Sequence, residues 1–305
     1  MLWGSDGIWR STLIGTMPSG AIVFWEHVIL VAASGWILWR DRRHLAALKP
    51  SDWLAVFLIS VGASGVATVL FTQAFSHASP TTVILLQKTQ PLFAIGLASL
   101  LLPEPLPARF WPLLPVALLG AYLISFGDAG PVFSLGSEGD RPSGALLALA
   151  AAALWGAGTV FGRRLLAHVP FSTLTALRFA ATLPVLAIIA VSTGWSVPGP
   201  AQLPPLFATA LLSGLAGILL YYWGLRNTPA AVATLCELMF PVTAIVVNAL
   251  VLSAAPTGHQ VIGIVMLMGA LAFMRHRSAP AEETLASTPV PPAPPTSSAP
   301  ALSAG

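Results

Sequence analysis

Five ionisable side chains stand where they cost most. Glu26, His27, Lys88, Arg178 and Glu237 all lie inside long apolar runs. In hydrocarbon each costs about 2.5–3.5 kcal/mol at a helix centre, so such a group faces a cavity or a partner. Gln87, Gln90 and Asn248 are polar companions in the same runs. Lys88 and Glu237 fall some way into their runs, roughly 12 Å deep at 1.5 Å of rise per residue. Two kinds of chemistry follow from this pair. If both face one central cavity, Lys88 attracts a carboxylate and Glu237 an amine or a proton. If they face each other, they form an ion pair that locks two helices.

Arg178 and Glu26 follow Pro170 and Pro18 at equal spacing. They read as gate charges at opposite ends of a pathway, with snorkelling of Arg178 to the nearer interface as the alternative. His27 beside Glu26 is protonatable, or only hydrogen-bonds a neighbour. Pro91 and Pro241 each remove a backbone hydrogen bond within an apolar run and are expected to kink it. A kink at that place gates a pathway or simply fixes packing. Trp3, Trp155, Tyr221, Tyr222 and Trp223 line a pocket for a flat or cationic solute, or sit at the interface and in the core. Cys236 is the single cysteine, inside an apolar run, and reads as a buried inert thiol.

The elements that must position these groups are membrane-spanning helices. The chain is 56% hydrophobic and only 8% charged, against roughly 25% charged in a soluble protein. It cannot cover itself with charge. Runs long enough to span occur at 20–40, 53–75, 80–102, 111–126, 143–166, 171–194, 204–225, 229–252 and 258–275. Residues 2–17 read as the remains of a tenth helix, entered at its middle and carrying Asp6 and Arg10. This points to a truncated chain or a misplaced start, and not to a cleaved signal peptide.

The runs repeat. Leu2, Trp3, Gly4, Leu13 and Pro18 recur 152 residues later as Leu154, Trp155, Gly156, Leu165 and Pro170. Ser79-Pro80 and Thr228-Pro229 each open a run that holds Gln87 before Pro91, or Glu237 before Pro241. One half-unit is used twice. Arg40, Arg42, Arg43, Lys49, Arg163, Arg164, Arg226, Arg275 and Arg277 fall in alternate loops. Those loops are expected to be cytoplasmic, and the C-terminus with them. Five helices per half then invert the second copy. Residues 1–127 and 143–277 are expected to form inverted repeats with a site near the midplane between them. Residues 278–305 are rich in Pro, Ala, Ser and Thr and are expected to be a disordered cytoplasmic tail.

Gly158 and Gly162 allow close helix packing. Enzyme signatures are missing: there is no phosphate-binding Gly-x-x-x-x-Gly-Lys-Ser/Thr, no His-Glu-x-x-His, no cluster for a metal and no Gly-x-Ser-x-Gly. No cofactor is expected. Clustered basic residues with interleaved aromatics, the footprint of nucleic-acid binding, are also absent.

The paired Leu-Trp-Gly segments, Leu85-Leu86-Gln87-Lys88-Thr89-Gln90-Pro91-Leu92-Phe93 and Pro103-Glu104-Pro105-Leu106 together resemble the EamA-type branch of the drug/metabolite transporter superfamily. The resemblance runs from residue 2 to about 275. It implies ten helices in two inverted five-helix repeats and export of metabolites, amino acids or drugs across the bacterial inner membrane. Exchange is facilitated or coupled to protons, with a homodimer as a further expectation. Arg178 matches the family's arginine early in the second helix of a repeat, whereas Glu26 replaces it in the first copy. Glu104 matches the acidic residue after the fourth helix; Ala254-Ala255-Pro256 replaces it in the second. The function expected is a secondary or facilitative exporter working by alternating access. The alternatives are a polytopic membrane enzyme and a non-catalytic scaffold or sensor.

Overall fold

The structure is a computed structural model of the chain. It describes residues 2, 9–10, 12–13, 15–74, 77–78, 80–126, 142–252 and 255–275. The expectations for Trp3, for residues 3–8 and for the 278–305 tail lie outside the described residues.

Every regular element among the described residues is a helix. With no water in hydrocarbon, a chain this apolar satisfies its backbone groups only within helices. In order they are α1 (Ser19–Arg40), α2 (Arg42–Ala46), α3 (Pro50–Phe57), α4 (Ala67–Ala74), α5 (Pro80–Gln87), α6 (Gln90–Leu101) and α7 (Phe110–Phe126). There follow α8 (Pro142–Leu165), α9 (Phe171–Thr193), α10 (Leu203–Ala208), α11 (Gly217–Leu225), α12 (Ala230–Glu237), α13 (Phe240–Leu252) and α14 (Gly258–Arg275). Among the described residues six helical stretches are long and apolar enough to cross a membrane: 19–40, 50–71, 82–101, 142–165, 171–193 and 203–225. Three shorter apolar helices lie at 110–126, 230–243 and 258–274. All nine expected spans are therefore helical, and the protein is a multi-pass membrane protein.

Two details position the site. First, α3 and α4 are joined through a π-helical stretch, Leu58–Val66, and α10 and α11 through another, Thr209–Ala216. Glycine, serine and alanine crowd both stretches, and widened turns of this kind gather at functional sites. Secondly, the helix is interrupted between α5 and α6, at Lys88–Thr89, and between α12 and α13, at Leu238–Met239. The expected kinks at Pro91 and Pro241 are thus outright breaks. The physical reason is position: each proline is the second residue of a new helix, where its missing N–H has no partner to lose. Backbone bonds tighten there, with Thr89 N–H donating to Leu86 O at 3.1 Å and Met239 N–H to Cys236 O at 3.1 Å.

Helix α1 packs along α9, and α7 along α14. Helix α8 runs between α4, the first π-helical stretch and α6. Two glycines let backbones touch. A β-carbon at Gly156 would lie 2.9 Å from the Ala94 amide nitrogen and 3.0 Å from the Gln90 carbonyl oxygen. One at Gly263 would lie 2.6 Å from the Gly120 carbonyl oxygen, so the backbones of α7 and α14 approach closely there.

Three carboxylates join helix ends at one face of the bundle. Glu104 accepts from Arg163 Nε at 2.6 Å and from the Ala230 amide at 2.8 Å, capping α12. Arg163 also donates to the Arg226 carbonyl. Asp52 lies 3.3 Å from His168 Nε2, and Asp41 accepts from Thr173 at 2.5 Å. The Arg40 guanidinium and the Thr173 hydroxyl lower the Asp41 carboxyl from its ordinary 3.8 to about 2.

Candidate functional site

A cavity of about 550 Å³ opens among α1, α8, α9, α11, the two π-helical stretches and the two helix breaks. Arg10, Glu26, His27, Gln87, Lys88, Gln90, Pro91, Trp155, Arg178 and Glu237 all line it. Residues that the sequence spreads across more than two hundred positions meet in one place because both breaks and both π-helical stretches open onto it.

Glu237 ends α12, and its carboxylate is held by three neutral donors. Gln90 Nε2 donates at 2.7 Å to one oxygen. Tyr221 Oη at 2.6 Å and Thr159 Oγ1 at 3.0 Å donate to the other. The donors come from α6, α11 and α8, so one carboxylate gathers three helices. Gly156 makes this possible, since its bare backbone lets α8 approach Gln90.

Lys88 sits in the first break. Its Nζ lies 4.8 Å from the Phe240 ring centre, at the start of α13 beyond the second break. Among the described residues it makes no ion pair or hydrogen bond. The ion-pair reading of Lys88 with Glu237 is therefore corrected: both face the cavity, and the carboxylate takes its three hydrogen bonds from hydroxyl and amide donors. Gln87 lines the same wall.

Arg178 does not snorkel. Its Nε donates to Ser64 Oγ at 2.8 Å and its Nη1 to Tyr222 Oη at 3.0 Å. Ser64 belongs to the first π-helical stretch, so the widened turn delivers the acceptor. Glu26 is buried and paired with Arg10, 3.2 Å away. Glu26 and Arg178 thus line the same cavity. His27 Nδ1 donates to Val23 O at 3.0 Å within its own helix and meets the Phe179 ring edge-on.

The aromatic candidates divide. Trp155 lines the cavity and packs edge-on against Phe71, with ring centres 5.1 Å apart. Tyr222 is fully buried and acts through Arg178, while its neighbour Tyr221 lines the cavity. Trp223 is exposed on the outer surface. The side chain of Asn248 lies outside the described residues. Pro91 lines the cavity. Pro241 is placed by the second break. Cys236 is not buried but exposed. It is one residue from the inward-facing Glu237, about 100° round α12 from it; in a bilayer protein an apolar run covers the outside as well as the core.

Five participants have no role in the sequence reading: Thr159, Ser64, Arg10, Thr68 and Phe240. Thr159 was the most legible, because it stands four residues after Trp155 and shares its helix face. Arg10 was read only as a fault in a helix. Ser64 and Thr68 carried no signal, since small hydroxyl residues are common in membrane helices.

Residues 1–126 and 142–275 match the model of the EamA-like transporter family. A riboflavin transporter of Fusobacterium nucleatum, ImpX, is 33% identical over 283 residues, covering 88% of this chain and 93% of that one. A riboflavin transporter of Brucella anthropi is 29% identical over 193 residues, 62% of each chain. A solved crystal structure superposes with a TM-score of 0.72 at 20% identity, covering 89% of this chain and 91% of that chain, which shows the shared fold.

Proposed function

The chain belongs to the EamA-like transporter family, and from that premise we propose that it carries riboflavin or a close flavin relative through the 550 Å³ cavity. It is a transporter, not an enzyme. The observation that carries the flavin reading is the match to the F. nucleatum riboflavin transporter along nearly its full length, joined to a cavity of about 550 Å³. Trp155, Tyr221 and Phe240 offer flat apolar faces there, and Gln87 and Lys88 offer donors. A flavin ring is flat and rich in carbonyl and ring-nitrogen acceptors, so donors along one wall suit it.

Transport in this reading is secondary or facilitative and proceeds by alternating access. Residues 1–127 and 143–277 act as the two repeats, inverted relative to each other. The paired π-helical stretches, the paired breaks before Pro91 and Pro241, and the helices that follow Pro18 and Pro170 support that organisation. The breaks serve as hinges. The end that holds Asp41, Asp52 and Glu104 faces the cytoplasm of a bacterial inner membrane, as its basic loops suggest. Cargo leaves the cell when it is concentrated inside. Glu237 serves as the proton acceptor: taking a proton, it would surrender one of its three donors and loosen the join between α6, α8 and α12.

The test uses purified protein in liposomes preloaded with riboflavin, whose own fluorescence reports release. Riboflavin release above that of empty liposomes, accelerated by an inward proton gradient, is the expected result. Release of an amino acid or a cationic drug with no movement of riboflavin would overturn the flavin reading.

A further inference from the structure

The end of α1, the short helix α2 and the first turn of α3 form a surface that the transport cycle leaves unused. Trp36 and Trp39 are 58% and 74% exposed, and Trp53 is exposed beside them. Arg40, Arg42, Arg43 and Lys49 are exposed in the same segment. Helix α2 fully buries none of its residues: Leu45 packs partly against the core, and Arg42, Arg43, His44 and Ala46 are exposed.

Interfacial tryptophans alone would need no explanation, because indole rings favour the headgroup level of any bilayer. The placement of the arginines does. The Arg40 guanidinium lies 4.9 Å over the Trp36 ring, and that of Arg42 lies 5.1 Å over the Trp39 ring. A guanidinium stacked on an indole keeps its face on the ring and its N–H edges outward, the geometry that takes two oxygens of a phosphate. Arg42 Nη1 is further steadied by donating to Trp39 O at 3.0 Å. Asp41 neutralises Arg40, accepting from its Nε at 2.8 Å and its Nη2 at 3.1 Å, and Arg42 and Arg43 keep no acidic partner among the described residues. Asp41 is engaged by Arg40 and Thr173, and Asp52 by the Lys49 amide and His168. Arg43 has no partner among the described residues. The patch therefore holds exposed indole rings, Arg42 stacked on one of them, and Arg43 exposed at the next position.

We propose that this patch binds the headgroup of an anionic phospholipid, with Arg42 and Arg43 on the phosphate and Trp36 and Trp39 against the glycerol and upper acyl chain. The occupant follows from charge complementarity. A zwitterionic lipid would bring its own cation against the arginines, and a soluble anion would leave the exposed indoles in water. A bound lipid at this place would fasten α1 to α3, two helices that line the cavity or lead to its first π-helical stretch.

The test compares purified protein in detergent with added phosphatidylglycerol, phosphatidylcholine or inorganic phosphate. Retained lipid is counted by native mass spectrometry, and thermal unfolding is followed in parallel. Phosphatidylglycerol is expected to be retained selectively and to raise the unfolding temperature. Arg42→Gln/Arg43→Gln should weaken that retention by roughly tenfold or more. If the double variant folds poorly in phosphatidylcholine, Arg43→Gln alone carries the test, since the Arg43 side chain makes no bond among the described residues. Equal retention of phosphatidylcholine, or undiminished phosphatidylglycerol retention in the variant, would overturn the proposal. An equal thermal shift from inorganic phosphate would reassign the patch to a free anion and overturn the lipid as occupant.

Discussion

Gln90, the first residue of α6, donates a 2.7 Å hydrogen bond to Glu237, the last residue of α12. The bond joins the far side of one helix break to the near side of the other. Any movement that opens one break must stretch or release it.

Glu237→Gln keeps the size of the side chain and removes its charge. Loss of charge-assisted acceptance from Tyr221, Thr159 and Gln90 should lower riboflavin transport at least roughly tenfold. Whatever transport is left should no longer respond to a proton gradient. Counterflow measured with and without a gradient checks both, and gradient-dependent transport in the variant would remove Glu237 from coupling.

Lys88→Met should move transport and stability in opposite directions. The ammonium has no acidic partner among the described residues, and a charge within a membrane span costs about 2.5–3.5 kcal/mol. Removing it should raise the unfolding temperature in detergent while riboflavin transport falls at least about tenfold. Full transport in the variant would make Lys88 a bystander.

Gly156→Val places carbon against the backbone of Ala94 and Gln90, where an added β-carbon would lie only 2.9 Å and 3.0 Å away. Overpacking of this kind costs about 1–3 kcal/mol. Gly96→Ala, which meets nothing within 4 Å, is the matched control and should be nearly neutral. Thermal unfolding of the two variants side by side would refute the close-approach account if both behaved alike.

The Asp41 carboxyl is held near 2 by Arg40 and Thr173, below its ordinary 3.8. A depressed carboxyl contributes stability that is complete above 3.8 and is lost as the pH falls through about 2. Unfolding temperature should therefore drop across that window. Asp41→Asn should start lower at pH 6 and show a shallower drop. Parallel curves for the two proteins would exclude the Arg40–Asp41–Thr173 contact from acid stability.

Much of this arrangement could be read before any coordinates existed. All nine spans were legible because hydropathy and length alone decide what can cross a bilayer. Lys88, Glu237, Arg178, Gln87, Gln90 and Trp155 were legible because a polar group inside an apolar run must face something other than lipid. The partners were not legible. Thr159 and Ser64 carry no cost in hydrocarbon large enough to mark them, and only the folding of α8 and of the first π-helical stretch brings them to Glu237 and Arg178. The prolines announced a disturbance but not its form, since a kink and a break differ only in whether the turn before the proline stays closed. Cys236 was misjudged because a soluble-protein rule, apolar therefore buried, does not apply to a helix whose outer face meets lipid.

That same cysteine gives the protein a built-in reporter. Cys236 is the single thiol of the chain, it is exposed, and it adjoins Glu237 at the end of α12. A spin label or fluorophore attached there needs no cysteine-free background and no engineered site. It would ride on the helix whose carboxylate joins the two breaks, so its mobility and its contact with water or lipid would record each turn of the transport cycle in the unmodified sequence.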